Sequence, residues 1–398
     1  MSADKHWSLW SIAAHNLWRY RSRTIAVLAP LLIVMGLATS VTLVRDGLSR
    51  DAALSVSVLP DVTLQRMVGG RVERIELSYA ESIGKLDHVV SAVARVWGYV
   101  PVTVSRGEVA YTLMGIDLER MPIAQGIDLT IEEGRFLAAG DSGKAVVGEA
   151  FASVFSARTG DRIDLEDTLG NAIELEIVGI FSASAEIYAA DLIVVPIDTA
   201  REYFGYADDE ASDICVYLDD PVNTGLAAVR ILELGDNLRI VTRDAMAGLN
   251  EQAFGRRGGV FQLMWTVLLL TVCLVAWAQS ASIGLALKRE IGILKAVGWS
   301  TLDIIELKVL ESVILALLGT FGGMLLGLLY VAVDAPGIKQ YFLGWATIYP
   351  EFPLPVHMSL SSLFLLMVIG VFPLVVATVV PAWRVGIIEP DSAIRGGA

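Results

Sequence analysis

The sequence predicts a membrane α-helical protein with four transmembrane helices and a large extracytoplasmic α+β domain inserted between helices 1 and 2. Three observations carry that expectation. Of 398 residues, 54% are hydrophobic and only 19% charged, with a mean hydropathy of +0.59, against roughly 45–50% apolar and 25% charged in ordinary soluble domains. Four runs approach or exceed the 20 or so apolar residues that a bilayer crossing needs. Between the first two runs lies a long acidic segment with the alternating texture of short strands and helices. The composition excludes disordered and collagenous classes, and a net charge of −14 argues against a nucleic-acid partner. Two cysteines, Cys215 and Cys273, cannot furnish a disulfide framework.

Taken in order, residues 1–24 read as a cytoplasmic interfacial helix. Trp7, Trp10, Ala14, Leu17 and Trp18 recur at helical spacing, and Arg19, Arg21 and Arg23 follow. Tryptophan favours the headgroup zone and arginine the anionic cytoplasmic surface. Residues 25–45 form the first span. A signal peptide is the other reading of this run, but it exceeds the usual apolar stretch of about 7–15 residues and lacks a small-x-small cleavage site. Spans two, three and four are expected at 259–287, 309–333 and 360–382. Lys5, Arg19, Arg21, Arg23, Lys288, Arg289, Lys295, Lys308, Arg384 and Arg395 flank one membrane side. Arg45, Arg50, Arg256, Arg257 and Lys339 flank the other. The excess puts both termini and the 288–308 loop in the cytoplasm, with the 383–398 tail. Residues 46–258 then lie outside, as does the 334–359 loop, whose Tyr341, Phe342, Trp345, Tyr349 and Phe352 read as an aromatic belt.

The outer domain holds 35 acidic and 18 basic residues, the balance of a solvated surface. Strands are expected over 61–66, 99–105, 109–116, 173–181, 191–196, 213–218 and 238–242. Helices are expected over 78–85, 149–155, 198–204 and 222–234. Two lobes are expected, with a break near residues 125–135 and a return to the first lobe after about residue 200. Chemistry is scarce. Gly143-Lys144 resembles the end of a phosphate-binding loop, but Ala145 stands where Ser or Thr would hold magnesium and Ala138 where the first glycine belongs, so a surface turn is expected. His88 has no second histidine or cysteine at ligand spacing, and no metal site is expected. No nucleophile elbow is present and no catalytic residue is assigned.

The stretch from Lys288 to Glu311, KREIGILKAVGWSTLDIIELKVLE, is the most informative. Ile291, Leu294 and Gly298 share one face of an amphipathic turn, Arg289 and Glu290 lie beside it, and Gly298 ends the helix. Such a helix suits either insertion into a partner's groove or an interfacial linker against lipid, and pattern alone does not choose. In span three Gly319, Gly323 and Gly327 fall at i, i+4 and i+8 and clear one face for helix packing. Glu311 enters the same span and is expected to snorkel to the boundary or to pair with Lys308.

These residues resemble the FtsX-like permeases of ABC transporters, the group that includes MacB, LolC, LolE and FtsX. The likeness lies in Arg289-Glu290-Ile291-Gly292-Ile293-Leu294-Lys295-Ala296-Val297-Gly298, in the entry Asn16 to Thr24, and in the exit Pro381-Ala382-Trp383-Arg384-Val385 with Ile388 to Arg395. Val146-Val147-Gly148-Glu149, Thr159-Gly160-Asp161 and Ile177 to Phe181 are similar to the MacB-type periplasmic core. The resemblance implies a non-catalytic permease subunit in a bacterial inner membrane. Its ATPase contacts would be Arg289, Glu290, Ile291, Gly292, Leu294, Lys295 and Gly298. It implies two copies of an ATPase that binds ATP and Mg, a second permease subunit in a homodimer or heterodimer, membrane lipid, and a periplasmic adaptor or lipoprotein among the partners it allows. This chain itself would bind no cofactor. MacB carries its ATPase before its first span, whereas 24 residues precede Ile25 here, so a separate ATPase chain is expected. The expected work is export or extraction of a lipoprotein, peptide or hydrophobic compound. The alternative is an FtsX-like signal relay that activates an outside partner without moving cargo.

Overall fold

The computed structural model describes residues 3–104, 107–119, 129–166, 172–183, 191–254, 259–282, 293–295, 297–333 and 356–387. The chain divides into two compact units, one of residues 1–47, 256–339 and 354–398, the other of residues 48–255 and 340–353. Helix α1 (Ala3–Arg19) leads almost directly into α2 (Arg21–Ser57), with Tyr20 and Thr24 amides donating to the Asn16 and Tyr20 carbonyls across the join. The division between units falls inside α2, which continues well past the end expected for the first span.

The second unit is built on one mixed sheet. Its strands and helices, in chain order, are β1 (Val62–Val68), β2 (Arg71–Glu73), β3 (Ile75–Glu76), α3 (Ser78–Ile83), β4 (Val89–Val104), β5 (Gly107–Ile116), β6 (Leu129–Gly134), β7 (Lys144–Gly148), α4 (Glu149–Phe155), β8 (Arg162–Glu166), β9 (Ala172–Ala183), β10 (Leu192–Pro196), α5 (Ile197–Phe204), β11 (Glu210–Ala211), β12 (Asp213–Leu218), α6 (Thr224–Leu232), β13 (Leu238–Thr242) and α7 (Arg243–Phe254). The sheet order is β13-β1-β12-β4-β5-β10-β7-β9-β6, with β2 on β1 and β8 on β9, while β3 and β11 pair separately. The expected two lobes therefore share one sheet. Strand β10 runs parallel to β5 and antiparallel to β7 and joins the halves.

Burial explains why β10 can sit in the middle. All five of its residues are buried: Ile193 and Val195 face one core cluster and Leu192 and Val194 another, so both faces of the strand are covered. Strand β12 is likewise buried along its whole length. Its Asp213 lies opposite Arg95 of β4 and takes a bidentate pair of hydrogen bonds from it, at 3.0 and 2.9 Å, plus one from the Trp97 indole at 2.8 Å. A buried carboxylate is tolerated because each of its oxygens is occupied.

In the first unit α8 (Gly259–Ser282), α9 (Thr301–Ala332) and α10 (Leu360–Ile387) accompany α1 and the first part of α2. Val27, Leu31, Met35 and Ala38 of α2 share a core with Val272 and Ala276 of α8, Ala316 of α9, and Leu366 and Leu374 of α10. Among the described residues three helices are long and apolar enough to cross a membrane, namely α2, α9 and Leu360–Trp383 of α10; α8 offers a shorter apolar stretch, Gln262–Ala278. Three hydroxyls inside α2 bond back along the helix. Thr39, Ser40 and Thr42 donate to the carbonyls four residues back, at 2.7 to 2.8 Å, as polar groups at membrane depth must.

Candidate coupling site and helix seam

Of the residues expected to contact an ATPase, Arg289, Glu290, Ile291 and Gly292 lie outside the described residues, as do the exit residues 388–395 and the aromatic belt of the 334–355 stretch. Leu294, Lys295 and Gly298 are described, and they build a helix end. Gly298 has φ +99°, a left-handed conformation that glycine adopts without penalty. Its amide donates to the Lys295 carbonyl at 2.9 Å, and the Trp299 amide donates to the Leu294 carbonyl at 3.1 Å. This is the Schellman pattern, which satisfies the last carbonyls of a helix and brings an apolar residue after the glycine against one in the last turn. Here those residues are Trp299 and Leu294. One residue later Ser300 caps α9: its hydroxyl accepts from the Asp303 amide, and the Asp303 carboxylate accepts from the Ser300 amide, both at 3.2 Å.

Leu294 itself is half-buried. It packs with Trp299, Leu310 and Ile314 around Leu9 and Ala13 of α1 and Leu307 of α9. The exposed apolar side chains of this turn are Ile293 and Val297, at 55% and 76% of full exposure. They are four residues apart, joined by the Val297 amide to the Ile293 carbonyl, and so lie one above the other on one face. The face proposed from spacing therefore differs from the face left open. The reason is α1, whose Leu9 and Ala13 supply an intramolecular partner that the loop's own periodicity cannot reveal. The packed face of α1 also differs from the aromatic stripe: Leu9 and Ala13 are buried, whereas Trp10 and Trp18 are exposed.

Behind this turn, Glu311 accepts from the Asn16 side-chain amide at 2.8 Å and from Lys308 Nζ at 3.1 and 2.9 Å. Lys308 and Glu311 are both largely shielded, so the charges neutralise one another where α1 meets α9. Further along α9, Gly319, Gly323 and Gly327 are all buried against α2. A Cβ on Gly319 would run into Leu31. On Gly323 it would meet Met35 Cβ at 2.5 Å and the Gly36 amide nitrogen at 3.0 Å, and on Gly327 the Gly36 carbonyl oxygen at 2.6 Å. The Ser40 hydroxyl lies 3.2 Å from the Gly327 carbonyl. Gly370 of α10, which carries no repeat to flag it, closes against Thr320 in the same way.

The second unit's polar groups form structural contacts. Lys144 is the first residue of β7, and the turn before it is held by Asp141, which accepts from Arg135, from Lys144 at 2.7 Å and from the Ala138 amide at 2.9 Å. Those donors, Arg135 first, hold the Asp141 carboxyl well below the usual carboxylate range. Cys215 is buried in β12, and desolvation pushes its thiol up to about 12, which leaves it unreactive. His88 pairs with Asp219 at 3.0 Å on the surface. Among the described residues no three His, Cys, Asp or Glu side chains gather as a metal site would require.

Residues 262–390 match the family described as FtsX-like permease C-terminal. The C-terminal third of this chain is FtsX-like. That assignment takes in α9 with its glycine seam, α10 and the Ile293–Gly298 turn, and with the three long apolar helices it makes this permease-like chain a membrane protein. Among solved structures, the chain is similar to the periplasmic region of MacB from Actinobacillus actinomycetemcomitans, at a TM-score of 0.37 and 17% identity, covering 48% of this chain and 92% of that one. It is similar also to the extracellular domain of the ABC-type transporter YknZ from Gram-positive bacteria, at a TM-score of 0.35 and 14% identity, covering 46% of this chain and 99% of that one. No curated protein matches the sequence.

Proposed function

We propose that this chain is a permease subunit of a MacB/LolC-type ABC system, coupled through its 288–308 loop to a separate cytosolic ATPase. The observation that carries the reading is the match of residues 262–390 to the FtsX-like permeases. In this scheme four spans cross the membrane, both termini are cytoplasmic, and the mixed-sheet unit works outside. ATP and Mg bind the ATPase, this chain performs no covalent chemistry, and a second permease subunit completes the membrane part. ATP-driven closure of the ATPases pushes on the loops, and the helices pass the motion outward for export or extraction of a lipoprotein, peptide or hydrophobic compound.

The geometry that supports the coupling role is the exposed pair Ile293 and Val297 on a turn pinned from behind by Leu294 and Trp299. A rigid turn that presents two apolar side chains loses little entropy on docking, and full burial of each is worth roughly 1.5–3 kcal/mol. Ile293→Asp with Val297→Asp removes both anchors without touching the Leu294 cluster. The double variant is expected to reach the membrane in wild-type amount while co-purification of the ATPase and stimulated ATP hydrolysis fall at least about tenfold. Wild-type binding and turnover in this variant would overturn the coupling role.

A further inference from the structure

A pocket of mixed polar and apolar lining in the first unit lies among α1, α2, α9 and α10, with Asn16, Tyr20, Arg23, Thr24, Lys308 and Glu311 as polar residues beside Leu17, Val27 and Leu315. Its internal charges are accounted for with one exception. Glu311 is occupied by Asn16 and Lys308, and the Thr24 hydroxyl donates to the Leu17 carbonyl at 2.8 Å. Arg23 is half-buried at the pocket and forms no ion pair or hydrogen bond with a described residue. A guanidinium drawn partly out of water without an acceptor is costly unless a ligand supplies one, and its planar fork suits the oxygens of a phosphate. The pocket thus carries one uncompensated positive charge beside hydroxyl groups of Tyr20, Thr24 and Ser312.

What joins the pocket indicates the rest of the ligand. Besides Ile25, the exposed residues of α2 after Arg23 and as far as Leu37 are Ala26, Pro30, Ile33 and Leu37, and from Arg23 these four follow at spacings of three, four, three and four. That spacing keeps them on one side of the helix, the side that carries Arg23. The track is wholly apolar and, at 1.5 Å per residue, about 17 Å long, close to half the hydrocarbon thickness of about 30 Å. A cation at the mouth of an apolar track one leaflet long matches a phospholipid better than a soluble anion.

We propose that this pocket binds the phosphate of an anionic phospholipid of the cytoplasmic leaflet, with Arg23 as its anchor and the α2 track beside an acyl chain. The proposal rests on the orientation given above, which places residues 1–24 on the cytoplasmic side. The test is native mass spectrometry of the full chain released from bilayers of equal phosphatidylglycerol and phosphatidylcholine. Wild type is expected to retain phosphatidylglycerol in preference, and millimolar inorganic phosphate should not displace it. Arg23→Gln should lower that retention about fivefold or more, the scale of a lost arginine contact with an anionic headgroup. Arg23→Lys should restore part of it, and Arg21→Gln, which removes an equal charge outside the pocket, should leave it close to wild type. Equal retention of the two lipids, unchanged retention in Arg23→Gln, or an equal loss in Arg21→Gln would overturn the site. Displacement by inorganic phosphate would assign the pocket to a free ion and overturn the lipid. ATPase co-purification, measured on the same samples, separates the two readings: a chain that binds ATPase without lipid preference loses only this site, and one that keeps the lipid without binding ATPase loses only the permease role.

Discussion

His88 and Asp219 show how an exposed contact on the second unit makes stability depend on pH. The hydrogen bond to Asp219, followed by that residue's charge, raises the imidazole pKa above 6.5, and the same contact lowers the Asp219 pKa. A histidine whose folded-state pKa is raised contributes stability that is complete below the unfolded value and is lost as pH rises through the folded value. The Asp219 contribution is lost at the other limit, as pH falls through its lowered pKa. The pair therefore stabilises the fold on the acid side of neutrality. A small decline in the thermal midpoint of the second unit is expected between about pH 6 and pH 8, and His88→Gln should flatten it. An unchanged slope in that variant would assign the decline to other groups. The effect is small because both side chains are about half exposed.

Among the elements, the α2–α9 seam depends on the absence of side chains where the backbones meet. Gly323→Leu would press on Met35 Cβ and on the Gly36 amide nitrogen, and a backbone atom cannot rotate aside. Overpacking of this kind is expected to cost about 1–3 kcal/mol, read as a lower unfolding midpoint of the detergent-solubilised chain. Gly322→Ala makes a control on the same helix turn. Its Cβ would meet only the Leu32 Cδ2 methyl, at 2.6 Å, the far end of a flexible side chain, so a change within about 0.5 kcal/mol is expected. Equal losses in the two variants would show that helix propensity, not the seam, sets the cost. The turn before α9 follows the same logic with a different partner. Leu294 is held by α1, so Leu294→Asp would disturb the α1–α9 contact as well as any docking surface, whereas Ile293 and Val297 isolate the latter.

At the scale of the whole molecule, orientation is the property to test first. Single cysteines placed at Ser2 and Ser392 should be shielded from an impermeant thiol reagent in intact cells, while one at Val222, 86% exposed on the outer unit, should label. Native Cys215 is buried and stays silent, but Cys273 is exposed on α8 and is best replaced by serine in the background. Labelling at Ser2 equal to that at Val222 would reverse the orientation drawn from the basic residues.

Local chemistry made much of this protein legible before its structure. The apolar runs coincide with helices α2, α8, α9 and α10, of which α2, α9 and α10 are, among the described residues, long and apolar enough to cross a membrane. Strands β10 and β13 follow the expected runs because β-branched residues dominate them, β9 and β12 because apolar residues fill most of their length, and Gly298 ends its turn because few other residues accept φ +99°. Strands β6, β7 and β8 are not legible in the sequence: five or six residues, some with charges, resemble loops until a neighbour pairs them. The long strand β4 is legible only in its second half, because Ala92 to Arg95 lack a period of two in hydrophobicity. What only tertiary structure decided is which side chains find partners far along the chain. Leu294 turned inward because Leu9 and Ala13 lie across from it, Gly370 met Thr320, and one sheet replaced two lobes through the pairing of β10 with β5 and β7. Each of these joins residues more than forty positions apart, and periodicity within a segment carries no record of a contact made outside it.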